Sequence, residues 1–292
     1  MLDRLVPLLR WVAAQDPISE IVLQCPDVDL VRAGARSVVV VWDECVTSIS
    51  LGTIAQLVTV GASHVVIHPC RAHTTQITER VEVWNSLMPG KVALFDPVKK
   101  RRFPGIRKAQ TLYLGHVPVP RRAILGLRID SPIDCAADDQ ERTMQALRFL
   151  GIDALEMKSV QSPKGIRLRA KGCIMCAVCV KACPHDALAI RGSGNEKTLW
   201  HNESVCRGCR RCESLCPVDA LSDNGSSSWA DTASQKENAL ATLLIRKCAS
   251  CGVVVEASAG DLCALCAYRR EHPFESVPLE LMKPLVERLT DH

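Results

Sequence analysis

Sixteen of the 292 residues are cysteine, and twelve of these lie between positions 173 and 266. Eight form two runs of the pattern CxxCxxCxxxCP. The first holds Cys173, Cys176, Cys179, Cys183 and Pro184; the second holds Cys206, Cys209, Cys212, Cys216 and Pro217. Three thiolates at intervals of three can wrap one face of an iron–sulfur cubane while the intervening amides turn toward its sulfides, and the fourth thiolate must come from elsewhere. The other four make two CxxC pairs, Cys248 with Cys251 and Cys263 with Cys266, separated by eleven residues. Two such knuckles can present four thiolates tetrahedrally, the arrangement of a closed structural zinc site. Iron in a rubredoxin-like site or a third cluster is the alternative there. The N-terminal MLDRLVPLLRWVAAQD carries Asp3, Arg4 and Arg10 and reads as an amphipathic helix, not an export signal. A cytoplasmic chain is therefore expected, where thiols stay reduced and metal ligation outranks disulfides.

The two runs belong to an internal repeat. KGCIMCAVCVKACPHDALAI lies over SVCRGCRRCESLCPVDALSD with an offset of 33 residues. Residues 165–225, including the CPxDAL ending of both copies, resemble the bacterial-type 2[4Fe–4S] dicluster ferredoxins. That resemblance implies a ferredoxin-like (α+β) domain carrying two [4Fe–4S] clusters with crossed ligation. It assigns Cys173, Cys176, Cys179 and Cys216 to one cluster, and Cys206, Cys209, Cys212 and Cys183 to the other. RGSGNEKTLWHNES, between the runs, is expected to form an extended hairpin. Arg207, Arg210 and Arg211 sit among the second set of ligands, and Lys164, Arg167, Arg169, Lys171 and Lys181 surround the first. Cationic charge there would raise the cluster potentials, or simply make a solvated basic surface. Either suits an acidic protein partner.

After the repeat, DNGSSSWADTASQKEN lacks apolar periodicity and reads as a linker over residues 226–240. Residues 241–292 then form a small zinc-ribbon-like unit ending in LELMKPLVERL, which has helical spacing.

Residues 1–155 show a different pattern. The apolar, β-branched runs IVLQ (21–24), SVVVVW (37–42), HVVIH (64–68) and KVALF (91–95) are interleaved with the helix-period segments SLGTIAQLVTVG and TTQITERVEVWNSL. This alternation predicts an α/β domain with a mostly parallel sheet. TLYLG and AILGLRI could add strands, and ADDQERTMQALRFLG reads as a helix closed by Gly151. Cys25, Cys45 and Cys70 each follow a predicted strand, so parallel strands would bring them to the carboxyl edge of the sheet, where α/β proteins place ligands. They are candidate redox or metal thiols, the alternative being small half-buried residues at strand ends. Asp43, His68, His73 and Asp96 occupy similar loop positions. GASHVVIHPCRAH after a helix resembles the iron–sulfur δ-type subunit of hydrogenases that work with heterodisulfide reductase, although the adjacent cysteine pair that would support a [2Fe–2S] centre is missing.

Other chemistries lack support. No GxGxxG, GxSxG or P-loop is present. The longest stretch without Asp, Glu, Lys or Arg, from Cys45 to Cys70, is too polar for a membrane span. A net charge of +4 is not that of a nucleic-acid binder, and KKRRFPGIRK reads as a solvated loop. The expected function is a non-catalytic electron-transfer subunit of a larger oxidoreductase complex, with redox protein partners. One alternative is a redox enzyme with a thiol or metal site at the N-terminal sheet edge; another is a nucleic-acid-binding or regulatory iron–sulfur and zinc protein.

Overall fold

The computed structural model describes residues 3–31, 33–34, 36–96, 109–125 and 129–278. Two units divide between Ala154 and Leu155. In the first, β1 (Glu20–Gln24), β2 (Ser37–Val41), β3 (Val65–His68), β4 (Val92–Leu94) and β5 (Gln110–Tyr113) form one sheet in the order β4-β3-β1-β2-β5, with every pairing parallel. All five residues of β2 are buried. A strand covered on both faces needs such an unbroken β-branched run, and the SVVVVW motif supplies it.

Helices complete the layers. α1 (Leu5–Ala13) buries Leu5, Leu8, Leu9, Trp11 and Val12. α2 (Leu51–Thr59) starts at Ser50, whose hydroxyl accepts the Thr53 N–H, and α3 (Thr74–Leu87) follows β3. Between β5 and the last helix of this unit, the start of AILGLRI is helical: Arg121–Ile124 form a single turn, α4, and residues 126–128 lie outside the described residues. Pro118 and Pro120 remove ladder donors just ahead of it, and the Ile124 N–H bonds the Pro120 carbonyl at 3.2 Å. α5 (Asp139–Phe149) is capped by Asp138 and packs on α2. Arg142 of α5 is fully buried there, giving hydrogen bonds to Gln56 (2.9 Å), the Ala137 carbonyl (2.5 Å) and Asp3 (2.5 Å). A buried charge left without such partners would cost about 3–5 kcal/mol.

In the second unit, β6 (Gln161–Ala170) pairs antiparallel with β9 (Leu221–Ser228). The chain between them holds two short helices, α6 (Val178–Ala182) and α7 (Arg211–Ser214), and the hairpin of β7 (Leu188–Arg191) and β8 (Glu196–Asn202). The hairpin falls where the interval between the cysteine runs predicts it.

The expected linker at residues 226–240 is instead regular structure. It comprises the end of β9, α8 (Trp229–Ser234) and the start of β10 (Glu237–Lys247). Two local features stabilise it despite the polar composition. Ser228 and Asp231 close a capping box, and Trp229 is 1% exposed. β10 pairs with β8 and then with β11 (Val254–Glu256), so the sheet order is β11-β10-β8-β7. The C-terminal CxxC segment thus hangs on a strand of the dicluster sheet, not on a separate body that starts at residue 241. α9 (Ala264–Glu271) closes the described chain. LELMKPLVERL from residue 279 onward and KKRRFPGIRK at residues 99–108 lie outside the described residues. Among the described residues no helix is long and apolar enough to cross a membrane.

Candidate metal centres

The two cysteine runs close around two cavities. Cys173, Cys176 and Cys179 line one together with Cys216; Cys206, Cys209 and Cys212 line the other together with Cys183. The repeat extends to the backbone of the ligand loops. Met175, Ala177 and Asp186 have φ of 53°, 61° and 52°, and their counterparts 33 positions on, Gly208, Arg210 and Asp219, have 63°, 58° and 47°. Left-handed non-glycine residues cost about 1–3 kcal/mol each, so five of them at matching ligand loops signal a function that the loops serve. Their effect is to aim amides at sulfur. The Met175 and Gly208 N–H groups donate to Cys173 and Cys206 at 3.5 Å, and those of Ala187 and Ala220 donate to Cys183 and Cys216 at 3.3 and 3.2 Å.

The donor set suits clusters and not single ions. Zinc with metal–sulfur bonds of about 2.3 Å would draw its thiolates to about 3.8 Å from one another. Among the described residues, the sulfurs of these runs form no group of three within 4.8 Å of one another, a spacing wider than one ion needs. Burial pushes the Cys179 thiol up to about 11 and the Cys212 thiol up to about 12, so loading the sites must displace their protons.

The cavities differ in their walls. The first is apolar, with Ile174, Ile190, Leu199 and Val218 among the cysteines. The second includes His185, His201, Arg207 and Arg210. His201 is 1% exposed, neither ring nitrogen has a hydrogen-bond partner, and burial lowers its pKa to about 4, which keeps the ring neutral. A neutral imidazole retains one N–H donor, and an iron–sulfur core with acceptor sulfurs would satisfy it. Nothing in the cysteine spacing marks this histidine, since it sits on β8, outside the motif. The expected basic face is partly neutralised. Arg167 pairs with Asp231 at 2.5 Å, Arg210 pairs with Asp223, and Arg169 donates to Ser222 at 2.9 Å.

Cys248, Cys251, Cys263 and Cys266 form a tighter group, with all four sulfurs within 4.8 Å and Cys251 and Cys263 at 3.7 Å. This is the spacing of one tetrahedral ion. The Cys251 and Cys263 amides hold the Cys248 thiol down to about 6, the latter donating at 3.2 Å. Cys248 follows β10 directly and Cys263 is the N-cap of α9, so the end of the strand and the start of the helix meet at the same point.

Cys25, Cys45 and Cys70 also come together, all within 4.8 Å. The sheet order explains it, because β3, β1 and β2 are adjacent and parallel, and their carboxyl ends lie side by side. Other residues at that edge go elsewhere. Asp43 pairs with Arg4, His68 packs on Phe95 with ring centroids 4.7 Å apart, and Asp96 does not join the group.

Two wrapped cysteine runs related by an internal repeat define an iron–sulfur domain of the dicluster kind. Residues 172–220 match the family model of the 4Fe-4S dicluster domain. Among curated proteins, none matches the chain.

Proposed function

We propose that this chain is an electron-transfer subunit that relays single electrons through two [4Fe–4S] clusters within a larger redox complex, of the hydrogenase, formate dehydrogenase or heterodisulfide-reductase kind. The observation that carries the reading is that each cavity is walled by three cysteines of one repeat and the fourth of the other. That placement supports crossed ligation, with Cys216 completing the first set and Cys183 the second. When bound, each cluster supplies a one-electron couple.

The chain's own residues do the rest. Leu199 and Leu221 exclude water from the first site, and the amide donors to Cys173, Cys183, Cys206 and Cys216 offset the negative charge that reduction adds. Each site also reaches the surface, through exposed Cys176 and exposed Cys209. The rim of the first includes Ile174 and Val218, 46% and 37% exposed, while that of the second carries Arg210. One apolar exit and one polar exit, where Arg210 is paired with Asp223, suit two different partners. The four C-terminal cysteines hold one zinc ion that ends β10 and starts α9 at a fixed point.

The test is an anaerobic reductive titration of the full chain, followed by identification of the proteins that copurify with it. Uptake of two electrons per chain and a larger catalytic subunit in the purified complex are expected. Substrate turnover by the isolated chain would overturn the relay reading.

A further inference from the structure

The three thiols at the N-terminal sheet edge are arranged as ligands of one ion. Cys25 and Cys45 sulfurs are 3.8 Å apart, and Cys70 lies within 4.8 Å of both. A disulfide would need about 2.05 Å, whereas thiolates sharing a tetrahedral zinc sit about 3.8 Å apart. A fourth donor is beside them. His73 Nδ1 is 3.2 Å from the Cys70 sulfur and 3.4 Å from that of Cys45, against about 3.6 Å for a nitrogen and a sulfur on the same zinc. It is not within 4.8 Å of all three sulfurs, so binding would draw its exposed ring inward toward Cys25.

We propose that Cys25, Cys45, Cys70 and His73, the last through Nδ1, bind one zinc ion as a tetrahedral Cys3His centre. Three thiolates and an imidazole are a soft donor set found in closed structural zinc sites. A [2Fe–2S] centre would instead divide its ligands into two pairs on two irons, and three sulfurs about a single point do not divide so. Binding displaces three thiol protons to solvent and changes no oxidation state, leaving a centre of net charge −1.

The surrounding backbone suits that charge. The turns at Val46–Ser48 and Arg71–His73 begin directly after Cys45 and Cys70, and α3 begins directly after His73. Their first amides are therefore near the sulfurs, and the Val46 N–H donates to Cys25 at 3.4 Å. With four protein ligands the centre has no position for substrate. It ties together the carboxyl ends of the three central strands, which are joined to one another only through long crossovers.

The test compares zinc and iron content, by elemental analysis, of full-length wild type, Cys45→Ser and Cys248→Ser purified anaerobically. Cys45→Ser should lower zinc by one equivalent per chain and leave iron unchanged, whatever metal the C-terminal cysteines hold. Cys248→Ser should leave that equivalent in place. Unchanged zinc in Cys45→Ser, or loss of two irons instead, would overturn the proposal. Since Cys45→Ser could also unfold the sheet, a second pair uses the exposed position. His73→Ala should release one zinc to EDTA at least tenfold faster than wild type, and His73→Cys should restore slow release. Equal release by all three would remove His73 from the centre and overturn the Cys3His assignment.

Discussion

Cys183 faces the same cavity as Cys206, although Cys183 closes the first cysteine run and Cys206 opens the second. β7 and β8 lie between them in sequence and return the chain to the same place. Each cavity is therefore lined by cysteines of both runs.

From that relationship, Cys183→Ala should remove the cluster at Cys206, Cys209 and Cys212 and leave the one at Cys173, Cys176 and Cys179. Iron should fall from about eight to about four per chain. Electron paramagnetic resonance of the reduced protein should change from a coupled to a simple signal. Selective loss of the cluster of Cys173 would mean that the fourth ligand is local.

The unequal walls predict unequal potentials. With His201, Arg207 and Arg210 around it, the second site should hold the cluster of higher potential. Arg210→Gly removes a charge at a residue whose φ of 58° glycine adopts freely. It should lower that potential by tens of millivolts, on the order expected for one partly screened charge. A redox titration followed by paramagnetic resonance would refute this if the first cluster shifted instead.

Metal removal separates the C-terminal knuckles from the clusters. Cys251→Ser should lose one zinc and retain about eight irons, because these sulfurs are spaced for a single ion and not a cubane. Iron in place of zinc, detected by elemental analysis, would overturn the assignment.

Asp231 should give the second unit a pH dependence. Burial pushes its carboxyl up, but the Ser228 N–H at 2.8 Å and the Arg167 guanidinium at 2.5 Å outweigh this and hold it below the ordinary value. A depressed carboxyl contributes stability that is present above its unfolded pKa and lost as pH falls through the folded one. Asp231→Asn should thus lower the temperature of cluster bleaching at pH 7, because it removes the charge that Arg167 and the helix N-terminus favour, a loss of about 0.5–1 kcal/mol. The gap should narrow as pH falls below about 4. A gap that stays constant would assign the loss to packing alone.

The cysteine spacing, the repeat and the alternating apolar runs determined the dicluster segment and the parallel sheet, because ligand loops and buried strands are written in contiguous residues. Cys25, Cys45 and Cys70 were legible as residues at strand ends, yet only the strand order β3-β1-β2 decided that their sulfurs meet. Crossovers between parallel strands leave no local mark of which strands become neighbours. The regular structure at residues 226–240 is hidden in the sequence for a related reason. Its polar composition hid a buried Trp229 whose partners lie elsewhere in the chain, although the Ser228 and Asp231 cap was present in the sequence. His201 shows the same limit. A histidine on a strand carries no sign of its environment until the hairpin packs it, without a hydrogen-bond partner, against the cavity of Cys206.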